Sequence, residues 1–257
     1  MFAEERYIRI VEQVSSQGKA TVGELSAALG VSPVTIRRDL ETLEARRLLV
    51  RTHGGAMPAD NEPLEVAQER SFNEKAGALA AEKLRIAEAA AQLVKDEEAI
   101  LLTPGTTNML LARLLAGKRA LTVVTNAANI AIQLSETGDA DVHLIGGIMR
   151  RKSFGLVGPQ GEMALRGIRV DKLFLGVDGL DFDAGLTTPN IQEASINRTM
   201  IDIAKQVIVV ADHSKFGRVM FSRIAGLDAV HTVISDKRLP NQAADRLREQ
   251  GIELILV

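Results

Sequence analysis

The sequence predicts a small α+β winged helix-turn-helix domain followed by an α/β Rossmann-like domain, and three observations carry that reading. Two short helical segments meet across a Gly30-Val31 turn near the N-terminus, a stretch rich in proline and acids interrupts the pattern after residue 57, and short apolar runs alternate with helical ones from residue 99. With 257 residues, 46% of them hydrophobic, the chain can bury one small and one medium core. The expected units are 1–57, a linker and connecting helix over 58–81, and 82–257.

Taken in order, Glu4 to Gln17 carries Ile8, Val11 and Val14 at helical spacing, with Tyr7 and Ile10 beside them, and stops at Gly18. Thr21 then caps VGELSAAL, which ends at Gly30. Ser32 is a good N-cap, and Pro33 sits at the first helical position, where its missing N–H costs nothing. Ile36, Leu40 and Leu43 recur on one face of the helix that follows, so Thr35, Arg37 and Arg38 point away from the core. Leu48 to Ala56 adds a short apolar strand and a Gly54-Gly55 turn, with Arg51 and His53 beside it, as a wing would.

A helix of this kind fits the major groove of DNA. Arg37 and Arg38 can reach guanine O6 and N7, Ser32 and Thr35 can hold phosphates or base edges, and Arg51 and His53 would lie along the backbone or the minor groove. The same arginines, with Arg46 and Arg47, also fit a solvated helix face. Residues 1–58 hold eight Lys+Arg against seven Asp+Glu, within a chain whose formal net charge is −2. Bulk attraction to nucleic acid is therefore weak, and binding as a dimer or tetramer to paired half-sites of double-stranded DNA is expected.

Met57 to Arg70 reads as a linker, and Asn73 to Val94 as one long run of helix formers. The apolar runs 99–103, 121–125, 142–146, 172–177, 207–211, 229–235 and 252–257 are continuous rather than alternating. That pattern predicts strands buried on both faces of a mostly parallel sheet, with crossover helices over 107–115, 127–134, 190–205 and 242–250.

In open α/β sheets, ligands sit at the carboxyl ends of the strands. Those ends carry Gly105-Thr106-Thr107, Thr125-Asn126, Gly146-Gly147 with Arg150, Asp178, Glu193, and Asp212 with Lys215. Amides and hydroxyls suit a phosphate, and carboxylates suit sugar hydroxyls, so the set points to a small polyhydroxylated anion. Each piece alone also reads as an N-cap, a turn or surface charge.

The residues Val31-Ser32, Thr35-Ile36-Arg37-Arg38-Asp39-Leu40, Leu43-Glu44 and Arg51-Thr52-His53-Gly54-Gly55-Ala56 resemble the N-terminal signature of the DeoR-type bacterial transcriptional repressors. The resemblance continues through Gly105-Thr106-Thr107, Thr125-Asn126, Gly146-Gly147 with Arg150, Gly155 with Gly158, Phe174 and Gly176, Gly179, Gly185-Leu186-Thr187 and Asp212-Ser214-Lys215-Phe216. It implies operator DNA as one partner and a phosphorylated sugar as effector. It also implies a second domain similar in fold to ribose-5-phosphate isomerase. The run GLTTPN, with Glu193-Ala194, Asn197-Arg198 and Met200, is most similar to the subgroup controlling amino-sugar and galactosamine catabolism.

Three positions depart from that pattern. Arg46-Arg47 stand where a glycine is usual, Thr103 and Pro104 replace Asp-Ser, and no lysine lies between Asp181 and Glu193. The second implies a change in effector identity or affinity. The third counts against an isomerase, the enzymatic alternative, and a domain that only oligomerises is a further one. No cysteine and four scattered histidines leave no metal-site pattern, and no cofactor is expected. No apolar run approaches the ~18–20 residues of a membrane span, so a cytoplasmic protein is expected.

Overall fold

A computed structural model of the chain describes residues 3–17, 19–45, 48–52, 54–57 and 69–257, which form two compact units, Met1–Glu69 and Arg70–Val257. In the first, α1 (Ala3–Gln17), α2 (Val22–Leu29) and α3 (Pro33–Ala45) accompany a small sheet of β1 (Ala20–Thr21), β2 (Val50–Thr52) and β3 (Gly55–Met57), with β3 central. Thr21 starts α2 through a capping box: Glu24 N donates to its hydroxyl at 3.2 Å, and its own N–H donates to Glu24 Oε2 at 2.7 Å. Gly30 ends α2 with left-handed backbone, φ 65°. Gly55 must be glycine, because a Cβ there would lie 2.0 Å from the Ala20 carbonyl oxygen of the strand it pairs with.

Ile10, Val11, Val14, Leu25, Ile36, Leu40, Leu43 and Leu49 form the buried core of this unit. One charged pair crosses it: Arg6 of α1 donates to Asp39 of α3 from Nε at 2.6 Å and from Nη2 at 3.0 Å. This two-point bond fixes α3 against α1, and it holds the Arg6 pKa above its ordinary value through the hydrogen bond to Asp39.

The second unit begins with α4 (Phe72–Gly77) and α5 (Ala80–Gln92). Seven strands then form one sheet: β4 (Ala99–Leu102), β5 (Thr122–Thr125), β6 (Asp141–Leu144), β9 (Val170–Leu175), β12 (Ala204–Val210), β14 (Thr232–Ser235) and β15 (Glu253–Leu256). Their order is β15-β14-β12-β9-β4-β5-β6, and every pairing is parallel. The crossovers use α6 (Thr106–Leu114), α7 (Ala128–Thr137), α8 (Pro159–Leu165), α9 (Ile191–Ile203) and α10 (Asn241–Glu249). Short antiparallel pieces decorate the strand ends: β7 (Ile148–Met149) with β8 (Leu156–Val157), and β10 (Gly179–Asp181), β11 (Gly185–Thr188) and β13 (Ser222–Ala225).

The sheet is Rossmann-like, and its central strands are largely apolar because they feed two cores. Leu101, Leu173, Leu175, Val207 and Val209 face one; Ile100, Leu102, Phe174, Ile208 and Val210 face the other. The seven predicted strands are all present, with two corrections in detail. The 142–146 run is not buried on both faces: β6 lies at the sheet edge with one neighbour, and Leu144 is 48% exposed. The expected long helix over 73–94 is broken, because Leu79 adopts left-handed backbone, φ 52°, between α4 and α5.

Replacing Arg6 by Met should leave the buried Asp39 carboxylate without its cation, at a cost of about 3–5 kcal/mol. Hydrogen exchange at the α3 amides checks this; protection equal to wild type would show that the pair does not tie the helices.

Candidate functional site

The first unit presents one candidate nucleic-acid face. Ser32 caps α3, accepting from Thr35 N at 3.2 Å, and the two hydroxyls share a hydrogen bond of 2.9 Å. Arg37 and Arg38 are exposed and make no ion pair among the described residues. Val34, three and four residues before them on the same face, is 71% exposed. Arg51 differs: its guanidinium lies 3.2 Å from Glu41 Oε1, and its N–H donates to Glu44 Oε1 at 3.0 Å. It anchors the wing to α3, and a DNA phosphate would have to compete with those acids. His53, Arg46 and Arg47 lie outside the described residues.

In the second unit the strand order dictates where a ligand fits. Beyond β4 the chain proceeds through β5 to β6 at one edge, then returns to β9 on the other side of β4. The loops after β4 and β9 therefore diverge, opening a crevice at their carboxyl ends. Gly105 starts α6 there; no side chain caps the helix, and a Cβ on Gly105 would meet nothing within 4 Å. The free N–H groups of Thr106 and Thr107 suit an anion.

Thr103 spans the base of the crevice: Gly176 N donates to its hydroxyl at 2.9 Å, and Asn108 Nδ2 donates to its carbonyl and to Phe174 O, each at 2.9 Å. Thr125 is likewise committed to the fold, donating to Leu102 O at 2.7 Å and accepting from Ala127 N at 3.0 Å. Asn126 Nδ2 donates to Leu156 O at 2.9 Å. The Oδ1 atoms of Asn108 and Asn126 are buried with no partner among the described residues, two acceptors that ligand hydroxyls would satisfy.

A chain of polar contacts links the other predicted residues. Arg150 Nε donates to Glu193 Oε1 at 2.9 Å, and Ser153 Oγ donates to the same oxygen at 2.6 Å. The Thr188 hydroxyl lies 3.2 Å from Glu193 Oε2 and 3.4 Å from Asp178 Oδ2, and Lys75 of α4 donates to Asp178 Oδ1 at 2.6 Å. Gly146 and Gly147 lead into the β7–β8 hairpin; a Cβ on Gly147 would lie 2.5 Å from Val157 O, so its first role is packing.

The loop after β12 carries Asp212, which is buried and accepts from Ser214 N at 3.1 Å and Ser214 Oγ at 2.5 Å. Lys215 is half-buried. Lys83, 5% exposed, donates to the carbonyls of Lys75 at 2.5 Å and Ala78 at 2.6 Å. Burial holds its pKa below the ordinary lysine value; Asp212 opposes this, and Lys215 and Lys75 add to it. Asp236 at the end of β14 is wholly buried and accepts from His213 N at 2.8 Å, His213 Nδ1 at 3.0 Å and Arg238 N at 3.0 Å. Burial alone would raise its carboxyl, but these donors together bring it below the usual range.

Sequence reasoning missed Lys75, Lys83, Ser153 and the pairing of His213 with Asp236. A signal for α4 existed in Ser71-x-x-Glu74, a capping box in which Glu74 N donates to Ser71 Oγ at 3.4 Å.

Residues 79–237 match the DeoR C-terminal sensor domain, and residues 6–62 match the DeoR-like helix-turn-helix domain. The chain belongs to the DeoR family of transcriptional regulators. A relative in Escherichia coli O157:H7, named as a transcriptional repressor of the aga operon, is 37% identical over 98% of this chain and 93% of its own length. GlpR, an HTH-type transcriptional regulator of Haloferax volcanii, is 37% identical over 99% and 98%. The repressor GlcR of Bacillus subtilis is 34% identical over 100% and 97%. These are regulators rather than enzymes, which sets the isomerase alternative aside. Among solved structures, ribose 5-phosphate isomerase A of Methanocaldococcus jannaschii aligns over 52% of this chain and 53% of that one, at 19% identity and TM-score 0.40. The sor operon regulator of Shigella flexneri aligns over 57% and 79%, at 12% and 0.39. Both are partial likenesses of fold from which no function follows. No described helix is long and apolar enough to cross a membrane.

Because Asp236 is more acidic in the folded chain, its stabilising contribution is full above the ordinary carboxylate pKa of about 3.9 and lost as pH falls through its depressed folded value. Asp236→Asn should therefore destabilise the chain at neutral pH, with the deficit shrinking below about pH 4. A deficit that persists unchanged in acid would contradict this.

Proposed function

We propose that this regulator represses a sugar or amino-sugar catabolic operon and is released from its operator by a phosphorylated sugar held at the strand ends of the sensor unit. The observation that carries this is the crevice between β4 and β9. Three features support the reading: the uncapped N-terminus of α6 after β4, the amide oxygens of Asn108 and Asn126 that are buried without a partner among the described residues, and the hydrogen-bonded set of Lys75, Asp178, Thr188, Glu193 and Arg150. Helix amides suit the phosphate, and Asp178, Glu193 and the asparagine oxygens suit sugar hydroxyls. Asp212 and Lys215, on the β12 loop, complete the set. The subgroup reading draws on the motif around Glu193 and on the name of the Escherichia coli relative.

On the DNA side, Arg37 and Arg38 carry specificity with help from Ser32 and Thr35, and Arg51 and His53 belong to the wing. A reader with so little net charge works as a dimer or tetramer on paired half-sites, where two weak contacts add. The three units of the proposal are 1–57 for the operator, 58–81 as connection and 82–257 for the effector.

Mobility-shift titration of the DNA upstream of the gene, with and without a panel of hexose and hexosamine 6-phosphates, tests the whole reading. Specific binding relieved by one phosphosugar is expected; binding that no panel member alters would remove the effector assignment. Arg37→Ala or Arg38→Ala should weaken operator binding about 10–100-fold without changing phosphosugar binding. Thr106→Ala should keep operator binding and need at least about tenfold more effector for release, the cost of one hydrogen bond to a charged group. Normal release of that variant would show that the Thr106 hydroxyl does not hold the anion.

A further inference from the structure

Helix α4 falls between the two family matches, which end at residue 62 and resume at residue 79, yet it is part of the second compact unit and touches the crevice. Its attachment is unusual. None of its residues is buried, and a six-residue helix is not stable by itself. What holds it is polar: the Lys75–Asp178 pair at 2.6 Å, with side chains only 26% and 17% exposed, and Phe72 N donating to Lys152 O at 2.7 Å. The Phe72 ring adds one edge-on contact with Phe154, centroids 5.7 Å apart. Leu79, between α4 and α5, and Phe154 both take left-handed backbone, φ 52° and 58°, which residues with a Cβ disfavour. Lys83 accounts for the carbonyls at the carboxyl end of α4 and leaves Lys75 free of that duty.

Asp178 follows Gly176 by two residues, and Gly176 lies against Pro104 at the start of the α6 loop: a Cβ on Gly176 would be 3.4 Å from Pro104 O. A phosphate on the α6 amides would therefore sit beside the Lys75–Asp178 pair, carrying more charge than the single carboxylate. Coulomb attraction then favours the ammonium changing partner.

We propose that Lys75 is a residue of the ligand site, and that a phosphorylated ligand takes its ammonium from Asp178 and thereby holds α4 more tightly to the sensor unit. The proposal rests on the effector reading above. It gives the site its output, because α4 is the first element after the stretch that joins the two units along the chain. It also supplies the cation that the stretch between Asp181 and Glu193 lacks.

Hydrogen–deuterium exchange of the full chain, followed on the peptide spanning residues 70–79, tests it. Without ligand, Lys75→Met and Asp178→Asn should each speed exchange there at least about tenfold, the loss of one charge-assisted hydrogen bond. The swapped pair Lys75→Asp with Asp178→Lys should restore protection. Wild-type rates in both single variants would overturn the proposal whatever the ligand does. With galactosamine 6-phosphate and with inorganic phosphate as probes, exchange of the wild type should slow there, and Lys75→Met should not respond. A thermal shift from either probe without slower exchange would overturn the change of partner and leave the effector reading standing. No thermal shift and no slower exchange with any phosphosugar would count against both.

Discussion

The reversal of strand order at β4 and β9 is the constraint on which the second unit depends. A chain that winds outward from β4 and then returns on its other side must part its loops at that point, and the opening faces the carboxyl ends of the strands. Thr103 makes the parting tolerable. Its hydroxyl accepts from Gly176 N, so the two strands remain joined up to the last residue before the loops diverge. That is also the position where a carboxylate is usual in the family, and here the side chain is spent on the fold. Asp178 and Glu193, joined through the Thr188 hydroxyl, are the carboxylates that we propose bind the effector's hydroxyls instead.

The first unit obeys a simpler rule. Its helix α3 must be both rigid and outward-facing, and the Arg6–Asp39 bond supplies rigidity without using any residue of the exposed face. Asp39 lies between that face and the core. Ile36 and Leu40 turn inward beside it, while Val34, Arg37 and Arg38 remain in solvent.

Much of this was legible in the residues. Seven continuous apolar runs marked seven strands because both faces of the sheet are covered, and the helical spacing of Ile36, Leu40 and Leu43 placed Arg37 and Arg38 outside. What escaped were contacts between residues distant in sequence. Lys75 meets Asp178 across 103 positions, and Arg150 meets Glu193 across 43; no local period encodes either. The strands β10 and β11 also escaped, since three or four residues are too few to show alternation. Thr125 is ambiguous for a related reason: a hydroxyl at a strand end serves a ligand or the neighbouring strand equally well, and here it donates to the Leu102 carbonyl at 2.7 Å.

We propose that effector and operator binding oppose each other within one chain. Linkage makes the effect reciprocal: if effector weakens operator binding, operator must weaken effector binding by the same factor, typically about 5–150-fold. Calorimetric titration of the releasing phosphosugar into the protein, alone and saturated with operator DNA, measures that factor. A lower affinity in the complex, matching the loss of operator affinity caused by the sugar, is the expected result; equal affinity in both states would contradict the account.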